Sequence, residues 1–342
     1  MEQGGQDMAT RHVVVGGSIA GTQAAEVIRS LRSEDPITVI AEEARPFYMR
    51  PLLADFAAGR IEETRLWRTF ESTAKSKNIA VMTGKRVTEI DRQAKTVGTA
   101  DGERVPYDTL LVATGVKPRL PKIPGIELQG VTPFSVYGDA ARVRQWAKRA
   151  KAAVVVGRGL QGVELTRALR LTGLAVTMIV PDESPWFPAL FQVKGEMIEQ
   201  ALEAHGVKVI ALDAPAELVG EGDRVIGVKT REGREVEGEI VGFALDQKAD
   251  VEFLIGSGIS LADGVVVNER LQSTDENVYA AGDVAQVASE GKQRPIGYGW
   301  LRALSQGEAA ARSMCGETVA VEAGDEAEAQ ALYGMGLLAR WS

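Results

Sequence analysis

Val13-Val14-Val15-Gly16-Gly17-Ser18-Ile19-Ala20-Gly21 reads as a β-branched strand that runs into a glycine turn and then a helix. The pattern returns at Val154-Val155-Val156-Gly157-Arg158-Gly159-Leu160-Gln161-Gly162, with Gly157 141 residues beyond Gly16. Such a junction turns the unpaired N–H groups of a helix start toward an anion, typically the pyrophosphate of a dinucleotide. One glycine pattern of this kind arises by chance. Two, each between strand and helix, point to two dinucleotides held by one chain, and hence to electron transfer.

Each half repeats more than its glycines. After the first turn, Ile19–Arg32 reads as a helix and Ile37–Ile40 as the next strand, followed by Glu42 and Glu43. A carboxylate about 20 residues past the glycines is placed to accept hydrogen bonds from an adenosine ribose. A helix over Leu66–Ser76, a strand over Ile79–Met82 and a meander through Arg86–Asp91, Lys95–Thr99 and Glu103–Val105 follow, and Thr109–Gly115 closes the half. The second half replays this order: helices over Leu160–Leu171 and Gln192–His205, strands over Ala175–Val180 and Val207–Ile210, a meander from Ala216 to Val236, and a closing strand Glu239–Ala244. Val116–Pro133 carries four prolines and reads as a linker. Beyond Ala244 no third unit begins; strands at Gly264–Val267 and Asn277–Ala281 and a helix at Gly299–Met314 return the chain to its first domain.

The gross properties narrow the class. A chain of 342 residues is long for one core and suggests two domains. A net charge of −8 argues against a nucleic-acid partner. The single cysteine, Cys315, excludes a disulfide framework and an intramolecular cysteine pair, and an inert thiol is expected there. No apolar run reaches membrane-spanning length and Met1–Arg11 lacks a signal-peptide core, so a mobile tail and a cytoplasmic location are expected. With only His12 and His205, no metal site is expected, and both histidines are expected at the surface.

The paired motif, the meanders and Val278-Tyr279-Ala280-Ala281-Gly282-Asp283-Val284 together resemble the FAD-dependent pyridine nucleotide–disulfide oxidoreductase superfamily over roughly residues 11–315. Arg45-Pro46-Phe47-Tyr48-Met49-Arg50-Pro51-Leu52-Leu53 is similar to a segment of its rubredoxin and ferredoxin reductases and of the flavin-binding part of nitrite reductases. The resemblance implies an α/β protein of two Rossmann-like three-layer (ββα) domains, the second inserted in the first. Residues 1–115 with 245–315 would bind FAD, residues 116–244 would bind NADH or NADPH, and 316–342 would form a shortened tail. It implies FAD contacts from Gly16, Ser18, Ala20, Gly21, Glu42, Arg50, Ala113, Thr114, Gly115, Gly282 and Asp283. Gly157, Gly159 and Gly162 would serve the nicotinamide dinucleotide, with Glu164 the candidate catalytic group. Disulfide reductases of the superfamily need cysteines beside the flavin, and here there are none, so electrons are expected to pass directly to a small carrier protein, a partner subunit or a small acceptor.

Several positions depart from the family pattern. Ser18 replaces the middle glycine of the first motif. The strand after the second motif ends Ile179-Val180-Pro181, where relatives carry an acid; Asp182 or Glu183 is the candidate substitute, and NADH is favoured because no arginine follows to claim a 2′-phosphate. Asp246 stands where relatives have an alanine–glycine turn. Where relatives pair a glutamate with a lysine, this chain has Glu164 and Asp55, and two carboxylates there would oppose each other's ionisation. The basic stretch Arg142, Arg144, Lys148, Arg149 and Lys151 reads either as a solvated helix face or as a docking face for an acidic carrier, and Trp300 as a flavin neighbour or as packing. The alternative reading is an FAD-binding structural or redox-sensing subunit whose nicotinamide site has degenerated.

Overall fold

The computed structural model describes residues 9–157, 159–181, 195–245, 247–289, 292–293 and 299–319. These form two compact units: residues 9–48, 67–116 and 248–319 make the first, residues 49–66 and 117–247 the second. Among the described residues no helix is long and apolar enough to cross a membrane.

The first unit is built on a five-stranded sheet in the order Val278–Ala280, Thr109–Val112, His12–Val15, Ile37–Ala41, Ile79–Thr83. All neighbours run parallel, and Val15 lies in register with both Ile40 and Val112. Parallel strands covered on both faces must be apolar throughout, which is why Val13-Val14-Val15 and Leu110-Leu111-Val112 are continuous runs, all buried. The helix Ile19–Leu31 buries Ile19, Ala20, Ala24, Ala25 and Ile28, a stripe at three- and four-residue spacing. Full burial of a side chain the size of Ile28 stabilises by roughly 1.5–3 kcal/mol. The helix stops where Arg32 turns extended, and Arg29 closes the end by donating to the carbonyls of Arg32 (2.8 Å), Ser33 (2.6 Å) and Asp35 (2.7 Å). The helix Trp300–Met314 lies against it so closely that a Cβ on Gly307 would sit 2.3 Å from the Ala20 carbonyl oxygen; only glycine permits this approach. An antiparallel meander, Val87–Asp91, Thr96–Thr99 and Arg104–Pro106, contributes Val97, Val105 and the buried Tyr107 to the same core.

The second unit repeats this plan. Its sheet runs Val207–Ala211, Ala175–Val180, Ala152–Val156, Ile240–Phe243, Val131–Pro133, again parallel throughout. The meander Pro215–Glu221, Arg224–Thr230 and Glu235–Glu237 packs Leu218, Val225, Val228 and Val236 onto Val154, Val156, Val241 and Phe243. The chain is therefore an α/β protein of two Rossmann-type units, the second inserted within the first.

Three sequence expectations change. Val131–Pro133, inside the expected linker, is the outer strand of the second sheet; its proline sits at an edge, where a missing N–H costs no ladder bond. Residues 49–66 group with the second unit rather than the first. Phe56 stacks on Tyr137 (5.4 Å, 25°), while Arg144 lies 4.7 Å from the Phe56 ring centroid and donates to the Ile61 carbonyl (3.1 Å). The helix expected over Leu66–Ser76 begins only at Phe70.

His12 also departs from expectation, because it is buried rather than at the surface: only 1 % of it is exposed. It opens the central strand, between Ile37 and Thr109. A neutral ring satisfies both neighbours, with Nε2 donating to Asp35 (3.2 Å) and Nδ1 accepting from the Thr109 hydroxyl (2.7 Å). Burial holds its pKa below the ordinary value, opposed by Asp35 and Asp108 and reinforced by Arg32. The folded state thus favours the neutral ring. Its contribution is complete above the unfolded pKa of about 6.5 and is lost as pH falls through that value toward the lower folded one. His12→Gln is expected to flatten the fall in melting temperature between about pH 7.5 and about pH 5. An unchanged slope contradicts this account of His12.

Candidate functional site

In the first unit the register of the parallel strands sets the site. Val15, Ile40, Val112 and Ala280 end level with one another, so Gly16, Glu42, Ala113 and Gly282 all follow the carboxyl edge of one sheet. Strand order reverses here: the chain leaves His12–Val15 to one side and returns on the other, which opens a crevice at that edge. Gly16 has φ +126, and a Cβ there would lie 2.1 Å from the Ala113 carbonyl oxygen; on Gly21 it would lie 1.9 Å from the Gly16 carbonyl oxygen. These contacts draw the start of the helix Ile19–Leu31 against the strand ends. Ser18 is the N-cap and makes no side-chain cap bond, so the first N–H groups of the helix, which have no intrahelical acceptor, gain none from it.

The neighbouring turns are fixed by hydrogen bonds. Ala113 N–H donates to the Val15 carbonyl (2.8 Å), the Thr114 hydroxyl to the Asp250 carbonyl (2.7 Å), and Gly115 turns at φ +71. Gly282, at φ +81, donates its N–H to Oε1 of Gln306 (2.9 Å), and the half-buried Asp283 accepts from Gly299 N–H (3.2 Å). Of the two carboxylates after Ala41, Glu43 accepts from the Tyr48 hydroxyl at 3.0 Å on both oxygens, while Glu42 is about half exposed with Arg86 at 3.8 Å. Phe47 stacks on Trp300 (5.9 Å, 6°) and meets Phe70 edge-on (6.5 Å, 83°), so Trp300 does pack against its own unit. The structure thus brings together Gly16, Ser18, Ala20, Gly21, Glu42, Ala113, Thr114, Gly115, Gly282 and Asp283. Arg50 belongs to the other unit, where its guanidinium donates to the Ser135 carbonyl (2.9 Å).

The second unit carries the same junction, tight at its first glycine and looser at its last. Gly157 has φ +129, its imagined Cβ 2.0 Å from the Ala244 carbonyl oxygen, and on Gly162 a Cβ would lie 3.0 Å from the Gly157 carbonyl oxygen. Gly159 is the N-cap of the helix Leu160–Leu171, and a Cβ there would meet nothing within 4 Å, which leaves the approach to the helix start open. Val180 is buried at the end of its strand. Asp182, Glu183, Asp246 and residues 320–342 lie outside the described residues.

Two side chains matter here that sequence reading did not connect. Asp55 does not stand as a second unpartnered carboxylate: Arg167, nine-tenths buried on the helix Leu160–Leu171, donates to it at 2.7 Å. Arg167 lies three residues beyond the half-buried Glu164, on the same helix face. A buried arginine opposite a segment bearing Asp55 was the available signal. Gln306 is the other: it is fully buried, and its Nε2 finds no acceptor among the described residues. Of the basic stretch, Arg142 pairs with Asp139 (2.6 Å) and Arg144 with Glu62 (3.6 Å). Cys315 is buried, which pushes its thiol pKa up and makes the reactive thiolate scarcer. A cavity of about 350 Å³ lined by Glu34, Pro36, Ile37, Lys75, Asn78 and Ile79 opens at the amino ends of the strands, away from the glycine junction.

Comparison with known proteins adds the family. The chain is 32 % identical over 311 residues to nitrite reductase [NAD(P)H] of Bacillus subtilis, covering 89 % of this chain but only 37 % of that protein. It is 25 % identical over 312 residues to rubredoxin-NAD(+) reductase of Pseudomonas putida, covering 89 % of this chain and 80 % of the relative. The crystal structure of a ferredoxin reductase from Rhodopseudomonas palustris matches with a TM-score of 0.84 at 23 % identity, over 92 % of this chain and 78 % of that one, a likeness of fold. The family model described as pyridine nucleotide-disulphide oxidoreductase matches residues 10–307. That span runs through both glycine junctions and the Gly282–Asp283 turn, and the chain belongs to this family.

Proposed function

We propose that the protein is an FAD-dependent NAD(P)H oxidoreductase that delivers electrons to a small carrier protein, a partner subunit or a small acceptor. The observation that carries this reading is the pair of matching glycine junctions, Gly16 against Ala113 and Gly157 against Ala244, in a chain with one buried cysteine. The kinship with a rubredoxin-NAD(+) reductase supports the carrier, and the nitrite reductase, of which this chain spans little more than a third, supports a partner module.

On this reading residues 1–48, 67–115 and 245–315 hold FAD, and residues 49–66 and 116–244 hold the nicotinamide dinucleotide. The residues present fit FAD. A cradle that any Cβ would fill stands at Gly16 and Gly21, beside uncapped helix N–H groups and a carboxylate at the right strand end. Gly16, Ser18, Ala20 and Gly21 would hold the pyrophosphate, Glu42 the adenosine ribose, and Asp283 with Gly282 the ribityl chain. Ala113, Thr114 and Gly115 would line the crevice. Gly157, Gly159 and Gly162 would orient the second dinucleotide, with Glu164 facing its nicotinamide end. Bound FAD would supply the hydride-accepting and electron-donating chemistry, and these residues would supply alignment and tuning. Asp55 is paired with Arg167, which lies one turn beyond Glu164 on the same helix.

The second reading, a flavoprotein subunit with a degenerate nicotinamide site, draws on Val180, an apolar and buried residue where an acid is expected. Anaerobic titration separates the two. On the leading reading, NADH bleaches the flavin band near ~450 nm within seconds to minutes, more readily than NADPH. A yellow protein that neither nucleotide reduces favours the second reading.

Gly159→Asp isolates the nicotinamide site from the fold. The added side chain enters open space at an N-cap, where aspartate is well tolerated, so stability should change by no more than about 0.5 kcal/mol. Its charge opposes a pyrophosphate, and the KM for NADH is expected to rise at least about tenfold, a loss of about 1.4 kcal/mol. An unchanged KM contradicts the assignment of the second junction.

A further inference from the structure

The second unit holds two carboxamides that are bonded only to each other. Gln247 donates from Nε2 to Oε1 of Gln161 at 2.5 Å, and among the described residues neither side chain has another hydrogen-bond partner. Both are half-buried, so both remain within reach of a ligand. One bond consumes one N–H and one oxygen. The pair therefore keeps an N–H end on one side chain and an oxygen on the other, whichever way round the two amides are assigned. A single neutral bond between half-buried side chains adds little stability and costs the rotamer freedom of two long chains. Stability alone does not account for two carboxamides here.

Their place in the fold gives the remaining ends a role. Val156 and Phe243 end neighbouring parallel strands in register, Ala152–Val156 and Ile240–Phe243. After Val156 the chain turns at Gly157 into the helix Leu160–Leu171 and goes on to Ala175–Val180, on the other side of Ala152–Val156. Strand order thus reverses between these two neighbours, and the crevice of such a sheet lies outside their carboxyl ends. Gln161 stands in the first turn of that helix and Gln247 four residues past Phe243, so their hydrogen bond runs from one lip of the crevice to the other. A neutral donor beside a neutral acceptor does not suit a phosphate, whose oxygens only accept. It suits a group with one oxygen and one N–H, which is a carboxamide. A dinucleotide at this junction would put its adenosine end over Val180, and its nicotinamide end would then fall on the Gln247 side.

We propose that Gln161 and Gln247 are specificity-determining residues of the second junction: together they read the carboxamide of the nicotinamide ring, one donating to its oxygen and the other accepting from its N–H. This rests on the assignment of that junction to a nicotinamide dinucleotide and adds the residues that recognise its ring. In the empty chain the two side chains hold each other across the crevice, so donor and acceptor are set in place before the ligand arrives and less ordering is needed on binding.

The test titrates the flavin-containing protein with three ligands in a calorimeter. They are NAD+, its 3-acetylpyridine analogue, in which a methyl group replaces the carboxamide NH2, and ADP-ribose, which lacks the ring. Wild type is expected to bind NAD+ about three- to tenfold more tightly than the analogue, the scale of one neutral hydrogen bond. Gln161→Leu and Gln247→Leu should each weaken NAD+ by a similar factor and leave ADP-ribose as in wild type. The variant that removes the accepting oxygen should also bind NAD+ and the analogue alike. A merely structural pair changes NAD+ and ADP-ribose in equal proportion, or changes neither, and either result overturns the proposal. So does a wild type that binds NAD+ and the analogue equally. If a leucine variant does not fold, alanine at the same position is measured in its place. A wild type that takes up no ADP-ribose removes the assignment of the second junction itself, an outcome distinct from equal binding of NAD+ and the analogue.

Discussion

The approach of Gly16 to the carbonyl of Ala113 is the constraint on which the rest of the first unit depends. No side chain fits between them, and the backbone at Gly16 turns at a positive φ that disfavours every other residue. Given that contact, the helix after the turn must begin at the carboxyl edge of the sheet, with its N–H groups over the crevice where strand order reverses. Gly157 and Ala244 impose the same contact in the second unit at almost the same separation. Two independent cradles of one geometry are what link this fold to dinucleotide chemistry.

Packing around each cradle is less symmetric than the cradles themselves. The first sheet takes its outer strand, Val278–Ala280, from beyond the inserted unit, whereas the second takes Val131–Pro133 from before its glycine motif. The first motif helix is held by Gly307 of the helix Trp300–Met314, and the second by Asp55 through Arg167. Chemistry follows from the difference. A neutral carboxamide stands beside the first helix, and an ion pair stands one turn beyond Glu164 on the second.

Much of this was legible in the chain. Valine runs that stay apolar at every position announce buried parallel strands, and the glycines after them announce the turns; the strands, both meanders and the inserted topology follow. What escaped was decided by tertiary partners. Val131–Pro133 looks like a linker because it ends a proline-rich stretch that masks a strand needing only one neighbour. His12 reads as a surface residue until Thr109 and Asp35 enclose it. Asp55 looks like a second unopposed carboxylate because its cation lies 112 residues away in sequence. Glu42 and Glu43 are neighbours in sequence, and only the fold gives them different partners, Arg86 beside Glu42 and the Tyr48 hydroxyl on Glu43. Gln306 gives no local signal at all, since its partner, the Gly282 N–H, lies 24 residues away.

The proposed hydride transfer to a flavin requires both dinucleotides on one polypeptide at once, each in its own cradle. Equilibrium binding of FAD, and then of NAD+, to the deflavinated chain tests this most directly. The account predicts one FAD and one NAD+ per chain, each bound without displacing the other. Failure to bind FAD, or NAD+ that binds only by expelling it, contradicts the account.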